Sequence, residues 1–360
     1  MSKSTSDAYL ADYLNEQTLA EKMIPTVGQM YREMGVILTI FGRKLMNSST
    51  IDIIKAHRLG KHMVGENIKL EATSEVLETL KTMNLGVSRI DIGKLAYNFS
   101  KLNNGQSLAE YLNGAVDAAN HGNISILDKP QDVVLYGFGR IGRILARLLI
   151  ERTTAGNKLR LRAIVVRSKG DGDLEKRASL LRRDSIHGPF NGSITVDHEN
   201  SAIIANGNYI KVIYAGQPED IDYTAHGIEN ALIVDNTGVF KDEAALGRHL
   251  VPNGASKVLL TAPAKGEIKN IVYGVNHNDV ELTDTIVCAA SCTTNAITPV
   301  LKAMNDKYSI VNGHVETVHS YTNDQNLIDN YHKGSRRGRS APMNMVITET
   351  GAASAVAKAL

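Results

Sequence analysis

The chain carries 40 lysines and arginines against 38 aspartates and glutamates in 360 residues, a formal net charge of +2. That balance gives no electrostatic reason for nucleic acid or an anionic membrane to be the main partner. With 43% hydrophobic residues the chain can bury a full core, in two or three domains. No apolar run approaches the roughly 20 residues that span a bilayer. The opening stretch MSKSTSDAYLADYL also lacks an apolar signal core, so a cytoplasmic protein is expected. The two cysteines, Cys288 and Cys292, match neither a disulfide framework nor a Cys-x-x-Cys zinc or redox spacing, and no metal site is expected.

From the N-terminus to about residue 120 the pattern is helical. Apolar residues recur three and four apart in LAEKMIPTVGQMYREMGVILTIF and SEVLETLKTMNLG, Gly86 is expected to stop a helix, and Thr18 with Glu21 and Ser107 with Glu110 have capping-box spacing. Turn-forming residues over 120–131 then mark a boundary. Beyond it DVVLYG, LRAIVV, ALIVDNTG, SKVLLTAP and DTIVCAA alternate with helical or loop segments, as in a parallel sheet covered on both faces. The expected architecture is α/β: an all-α N-terminal extension over 1–127, a Rossmann-type parallel-sheet domain over 128–291, and the start of an α+β catalytic domain over 292–360.

The run VVLYGFGRIGRILARLLIE places Gly137, Gly139 and Gly142 in Gly-x-Gly-x-x-Gly spacing between a strand and an amphipathic helix. Glycines there permit a tight turn and close approach of backbone to a pyrophosphate, whose charge is favoured by free N–H groups at a helix N-terminus. Alone the spacing is weak; in this context an ordinary glycine turn becomes the lesser reading. The second strand ends in Arg167, Ser168 and Lys169, where the fingerprint usually has an acid for the ribose hydroxyls. A guanidinium and a hydroxyl suit a 2′-phosphate, so NADP is expected to be accepted alongside NAD. The competing reading is a basic loop, with Asp171 or Asp173 still reaching the ribose.

In DTIVCAASCTTNAITPVLKAMND a strand-like run gives way to a helix at Cys292. Unpaired N–H groups and the helix dipole at such a junction stabilise a thiolate, the nucleophilic form. Pro299 leaves open a helix start several residues later. Cys288, inside the apolar run, reads as a core residue. His319 ends another alternating run, GHVETVHSY, where a strand end can present a base towards a cleft.

These residues carry a resemblance. GFGRIGR at 137–143, DSIHG at 184–188, TAPAK at 261–265, GVN at 274–276, SCTTN at 291–295 and TVHSYTNDQ at 317–325 occur in the order found in phosphorylating glyceraldehyde-3-phosphate dehydrogenases, and the chain resembles that family over about 131–360. The resemblance implies a homotetramer that oxidises glyceraldehyde 3-phosphate with NAD or NADP and inorganic phosphate to 1,3-bisphosphoglycerate. Cys292 would attack the aldehyde; His319 would lower the thiol pKa and move the proton. Ser291, Thr293, Thr322, Arg337, Thr350 and Gly351 match phosphate-contacting positions, with Arg336 a rival to Arg337. Gly137, Phe138, Gly139, Arg140, Ile141, Gly142, Thr237, Gly238 and Thr261 match positions lining the cofactor, joined by Arg167 and Ser168 from the strand-end reading. The family usually has asparagine where Tyr136 stands and often a cysteine where Ala296 stands. The chain is expected to be C-terminally incomplete relative to the family, and residues 1–127 to be a packed helical addition. Erythrose-4-phosphate dehydrogenase and a non-catalytic nucleotide-binding regulator are the alternatives.

Overall fold

A computed structural model describes residues 3–102, 105–119, 129–153, 158–334, 336–347 and 350–360. Two compact units emerge, Met1–Gln131 with Arg147–Arg160, and Asp132–Ala146 with Leu161–Leu360. The turn-rich stretch over 120–128, and with it the expected boundary at 127/128, lies outside the described residues.

The first unit is mainly helical: α1 (Lys3–Met34), α2 (Thr50–Val64), α3 (Leu70–Lys81), α4 (Ile92–Ser100) and α5 (Leu108–Ala115). Met23, Met30, Ile53, Leu77, Leu80, Ile92 and Leu112 share one buried cluster. The Ser107–Glu110 capping box forms as expected, and Ser49 with Asp52 makes a second. Thr18 lies inside α1 instead, its hydroxyl donating to the Leu14 carbonyl one turn back. Nor does Gly86 cap a helix, since α3 ends at Lys81.

To these helices the structure adds a small sheet that the apolar pattern did not separate from the first helix. It comprises β1 (Ile37–Ile40), β2 (Arg43–Lys44) and β3 (Arg89–Asp91), in the order β2-β1-β3. Gly35, at φ +70°, follows α1, and the β-branched run after it suits a pleated ladder better than another helical turn. Asp91 ties the sheet to α4. One carboxylate oxygen accepts from the N–H groups of Phe41 and Lys94, the other from Thr39 Oγ1 and the Gly42 N–H.

From residue 131 onward the chain holds β4 (Gln131–Tyr136), α6 (Arg140–Glu151), β5 (Leu159–Val166), α7 (Asp173–Arg182), β6 (Arg183–Asp184), β7 (Gly188–Pro189), β8 (Ile194–Asp197), β9 (Ala202–Ala205), β10 (Asn208–Tyr214) and β11 (Ala231–Asp235). There follow α8 (Glu243–Gly247), β12 (Ala255–Leu260), β13 (Ile286–Cys288), α9 (Cys292–Tyr308) and α10 (Ala352–Ala359). An eight-stranded sheet runs β13-β12-β11-β4-β5-β10-β9-β8. The pairs β4/β11, β11/β12, β12/β13 and β5/β10 are parallel; β8, β9 and β10 pair antiparallel at one edge. All five apolar runs expected as strands fall in this sheet. Val134, Ala163, Ile233, Val258 and Leu260 are fully buried, because strands covered on both faces have no polar side to present.

Consecutive strands β4 and β5 lie to one side of β11, so the chain reverses direction of winding around β4. In open α/β sheets such a reversal opens a crevice beyond the carboxyl ends of the strands. Past α9 the expected strand ending at His319 is not formed: residues 309–322 are exposed and irregular. Strands need a ladder partner, and none of the described strands pairs with this stretch.

Candidate active site

A cavity of about 870 Å³ opens at the carboxyl ends of the central strands. Tyr136, Gly137, Phe138 and Gly139 line it after β4, Val165 to Arg167 at the end of β5, Ala215 after β10, and Thr237, Val239 and Phe240 after β11. Each glycine of the turn has its own reason. Gly137 adopts φ +90°, and a Cβ there would come within 2.9 Å of the Thr237 methyl. At Gly139 a Cβ would meet nothing within 4 Å, leaving the backbone open to a ligand. Gly142 sits in the first turn of α6, where a Cβ would lie 2.5 Å from the Gly137 carbonyl oxygen. Gly142→Ala is therefore expected to cost about 1–3 kcal/mol by overpacking, read as a lowered midpoint in thermal unfolding.

Of the expected cofactor residues, Gly137, Phe138, Gly139, Arg167 and Thr237 line the cavity. Arg140 and Ile141 open α6 beside it and are exposed, and Gly142 packs behind the turn. Ser168 accepts from the Gly170 N–H in the β5 turn, and Gly238 follows Thr237 at φ +68°. Thr261 is placed behind the wall, donating through Oγ1 to the Asp235 carbonyl at 2.9 Å. Lys169, from the strand-end run, lines the wall too, whereas sequence reading missed Lys176, Arg177 and Leu180, since on α7 they look like a solvated face. Asp173 also lines the wall, but Arg177 claims its carboxylate with two bonds of 2.6 and 3.1 Å.

Cys292 is the first residue of α9, and Ser291 is its N-cap, accepting from the Thr294 N–H at 3.0 Å. The turn before it is tight: Ala290 is buried at φ +56°, a conformation uncommon for a residue with a Cβ. Pro299 does not delay the helix; it lies in the second half of the second turn, leaving Cys292 at the dipole's positive end. Cys292 Sγ is 3.2 Å from His319 Nε2, and His319 Nδ1 is 2.6 Å from the Ser320 carbonyl. A carbonyl only accepts, so Nδ1 carries a hydrogen, and Nε2 faces sulfur; one proton shared between Nε2 and Sγ converts a thiol–imidazole pair into a thiolate–imidazolium pair. The hydrogen bond from His319, assisted by Thr293, holds the Cys292 thiol below its ordinary range against partial burial. Reciprocally, the sulfur and then the Ser320 carbonyl push His319 up. Cys288 is the opposite case. It is buried, donates to Asn270 Oδ1 at 2.8 Å, and burial raises its thiol.

The other expected phosphate contacts are not drawn to Cys292 by any bond among the described residues. Thr322 Oγ1 accepts from the Asp324 N–H in a turn, and Arg337 is tied to the Asp324 carboxylate. Arg336 donates to the Ile347 carbonyl at 2.9 Å. Thr350 accepts from the Ala352 N–H, and Gly351 caps α10, which packs on α9. Among the described residues no cluster of histidine, cysteine, aspartate and glutamate could hold a metal, and no helix is long and apolar enough to cross a membrane.

A glycine turn feeding a helix over a strand-end crevice, together with a cysteine and histidine in contact at another helix start, defines a dinucleotide-binding α/β protein with a thiol held against an imidazole. Models of the two domains of one family match in the order the fold requires: glyceraldehyde 3-phosphate dehydrogenase, NAD binding domain, over 131–243, and its C-terminal domain over 291–360. The chain belongs to the glyceraldehyde-3-phosphate dehydrogenase family. It is 57% identical over 340 residues to a glyceraldehyde-3-phosphate dehydrogenase-like protein of Pseudomonas aeruginosa, covering 94% of this chain and 74% of the relative. With 340 of 360 residues aligned, that match takes in most of residues 1–127 as well. Glyceraldehyde-3-phosphate dehydrogenases of Zymomonas mobilis and Thermotoga maritima are 41% and 40% identical over 226 and 225 residues. Those alignments cover 62% of this chain and 64% of each relative, so the chain spans just under two thirds of their length.

Proposed function

We propose that the protein oxidises glyceraldehyde 3-phosphate with phosphate incorporation, through an acyl thioester on Cys292. The 3.2 Å contact between Cys292 and His319 at the α9 N-terminus carries this reading, since a pure nucleotide binder needs neither side chain. Cys292 thiolate adds to the aldehyde carbon, and imidazolium His319 gives its proton to the resulting oxyanion. His319 takes that proton back as the carbon is oxidised to the thioester. A bound nicotinamide dinucleotide would supply the hydride acceptor. Inorganic phosphate then attacks the thioester carbon and expels Cys292 as thiolate, returning it to its imidazolium partner. We assign Ser291, Thr293, Thr322, Arg337, Thr350 and Gly351 to the phosphate groups, with Arg337 exchanging Asp324 for its anion, and the assembly to a homotetramer. Acyl phosphate formation should require phosphate. Equal product without it would instead support simple oxidation, as in erythrose-4-phosphate dehydrogenase.

Gly137, Phe138, Gly139, Arg167 and Thr237 fit a dinucleotide because the Gly139 backbone is open and the cavity closes around strand ends. Its wall carries Arg167, Lys169 and Lys176, while its carboxylate, Asp173, is already engaged by Arg177. A carboxylate so engaged is a poor acceptor for ribose hydroxyls, and the surplus cations favour a 2′-phosphate. NADP is therefore expected to be used at least as efficiently as NAD. Replacing both Lys169 and Lys176 by glutamate should shift the ratio of kcat/KM values towards NAD by about tenfold or more, the weight of one charge-assisted contact. Strong discrimination against NADP by the unmodified protein would remove this reading.

A further inference from the structure

We propose that the buried pair Asp235–His249 is a positioning device for the dinucleotide, holding both sides of the cavity mouth to one internal support. The inference rests on reading the cavity as the dinucleotide site. Both side chains are 0% exposed, and His249 Nε2 donates to Asp235 Oδ2 at 2.9 Å. The other carboxylate oxygen, Oδ1, accepts from the Thr237 N–H at 2.8 Å and from Thr237 Oγ1 at 2.9 Å. Asp235 thereby fixes the turn that places Thr237 in the cavity wall.

His249 reaches the wall by a second route. Its ring stands edge-on to Tyr136 and Phe240, with centroids 4.5 and 4.8 Å away, and both rings line the cavity. Three wall residues from two strand ends thus converge on one imidazole. The Thr237 turn in turn abuts the glycine turn, since its methyl occupies the space a side chain at Gly137 would need. Burying a carboxylate is costly unless its oxygens are bonded. Apolar residues would fill this space without that cost, so the pair makes sense where turn geometry matters. Buried His249 Nδ1 has no hydrogen-bond partner among the described residues, so Asp235 is the polar anchor that orients the ring.

The test titrates the full chain with NAD⁺ by calorimetry, alongside His249→Phe, which keeps a ring but cannot donate, and His249→Gln, whose amide can replace Nε2–H. We expect H249F to weaken binding about tenfold, the weight of one positioning hydrogen bond, and H249Q to recover most of it. The pH profile of Cys292 alkylation should stay unchanged in both, because neither touches the Cys292–His319 pair. Nuclear magnetic resonance of the unmodified protein gives a readout independent of any variant: an exchange-protected imidazole N–H, absent from H249Q, whose exchange slows further when NAD⁺ saturates. Equal NAD⁺ affinity of H249F and the unmodified protein overturns the proposal, as does an N–H signal indifferent to NAD⁺. Failure of the unmodified protein to bind NAD⁺ at all would instead overturn the assignment of the cavity.

Discussion

Cys292→Ser is expected to abolish phosphate-dependent aldehyde oxidation, lowering turnover by roughly 10³-fold or more. Serine fits the first position of α9 without steric change, and Ser291 would still cap the helix. The chemistry changes, because a hydroxyl is not held ionised by a helix N-terminus and one imidazole as a thiol is. Since Cys292 is not among the cavity-lining residues, NAD⁺ affinity should survive the substitution. Calorimetry alongside the steady-state assay separates the two outcomes. Retained turnover in this variant would reassign the protein to chemistry that does not pass through sulfur.

His319→Asn should lower turnover by about 10²–10⁴-fold, the usual weight of a general acid–base. Its diagnostic effect is on pH. A neighbouring donor and positive charge favour the thiolate, so the Cys292 thiol is held down and the imidazole raised. Below the lowered thiol pKa the sulfur is protonated and unreactive; above it, alkylation by iodoacetamide accelerates. Removing the imidazole takes away the largest cause of the shift, so the rise in alkylation rate should move to higher pH in the variant. Partial depression should remain, because the Thr293 contacts and the helix end are retained. Cys288, buried and raised, should stay unlabelled in both proteins while they are folded. Superimposable profiles for the two proteins would show that the 3.2 Å contact does not activate the thiol.

What the sequence disclosed followed from how local the physics is. The glycine turn was legible because strand, tight turn and helix N-terminus are consecutive, and each glycine answers a constraint within that stretch or just across from it. Cys292 was legible for the same reason, and the helix start at Cys292, capped by Ser291, resolves what Pro299 left open. By contrast, VILTIF after Gly35 extends the apolar content of α1, and it becomes a strand through pairing of β1 with β2 just beyond it and with β3 some fifty residues on. His319 owed its assignment to motif resemblance rather than periodicity, as the strand its alternation implied is not there. The cations of α7 and the Asp235–His249 pair were hidden. Lys176 and Arg177 carry no mark distinguishing a cavity wall from a solvated face, and Asp235 and His249 meet from separate elements.

Acylation of Cys292 is the step on which the proposed chemistry depends. Glyceraldehyde 3-phosphate and oxidised dinucleotide are mixed with the protein in phosphate-free buffer, quenched in acid within the first turnover, and the peptide spanning Cys292 is weighed. An acyl adduct should be found on that cysteine, in proportion to the reduced dinucleotide formed, and should vanish when phosphate is added before the quench. Reduced dinucleotide accumulating while the peptide keeps its unmodified mass would contradict the mechanism at its centre.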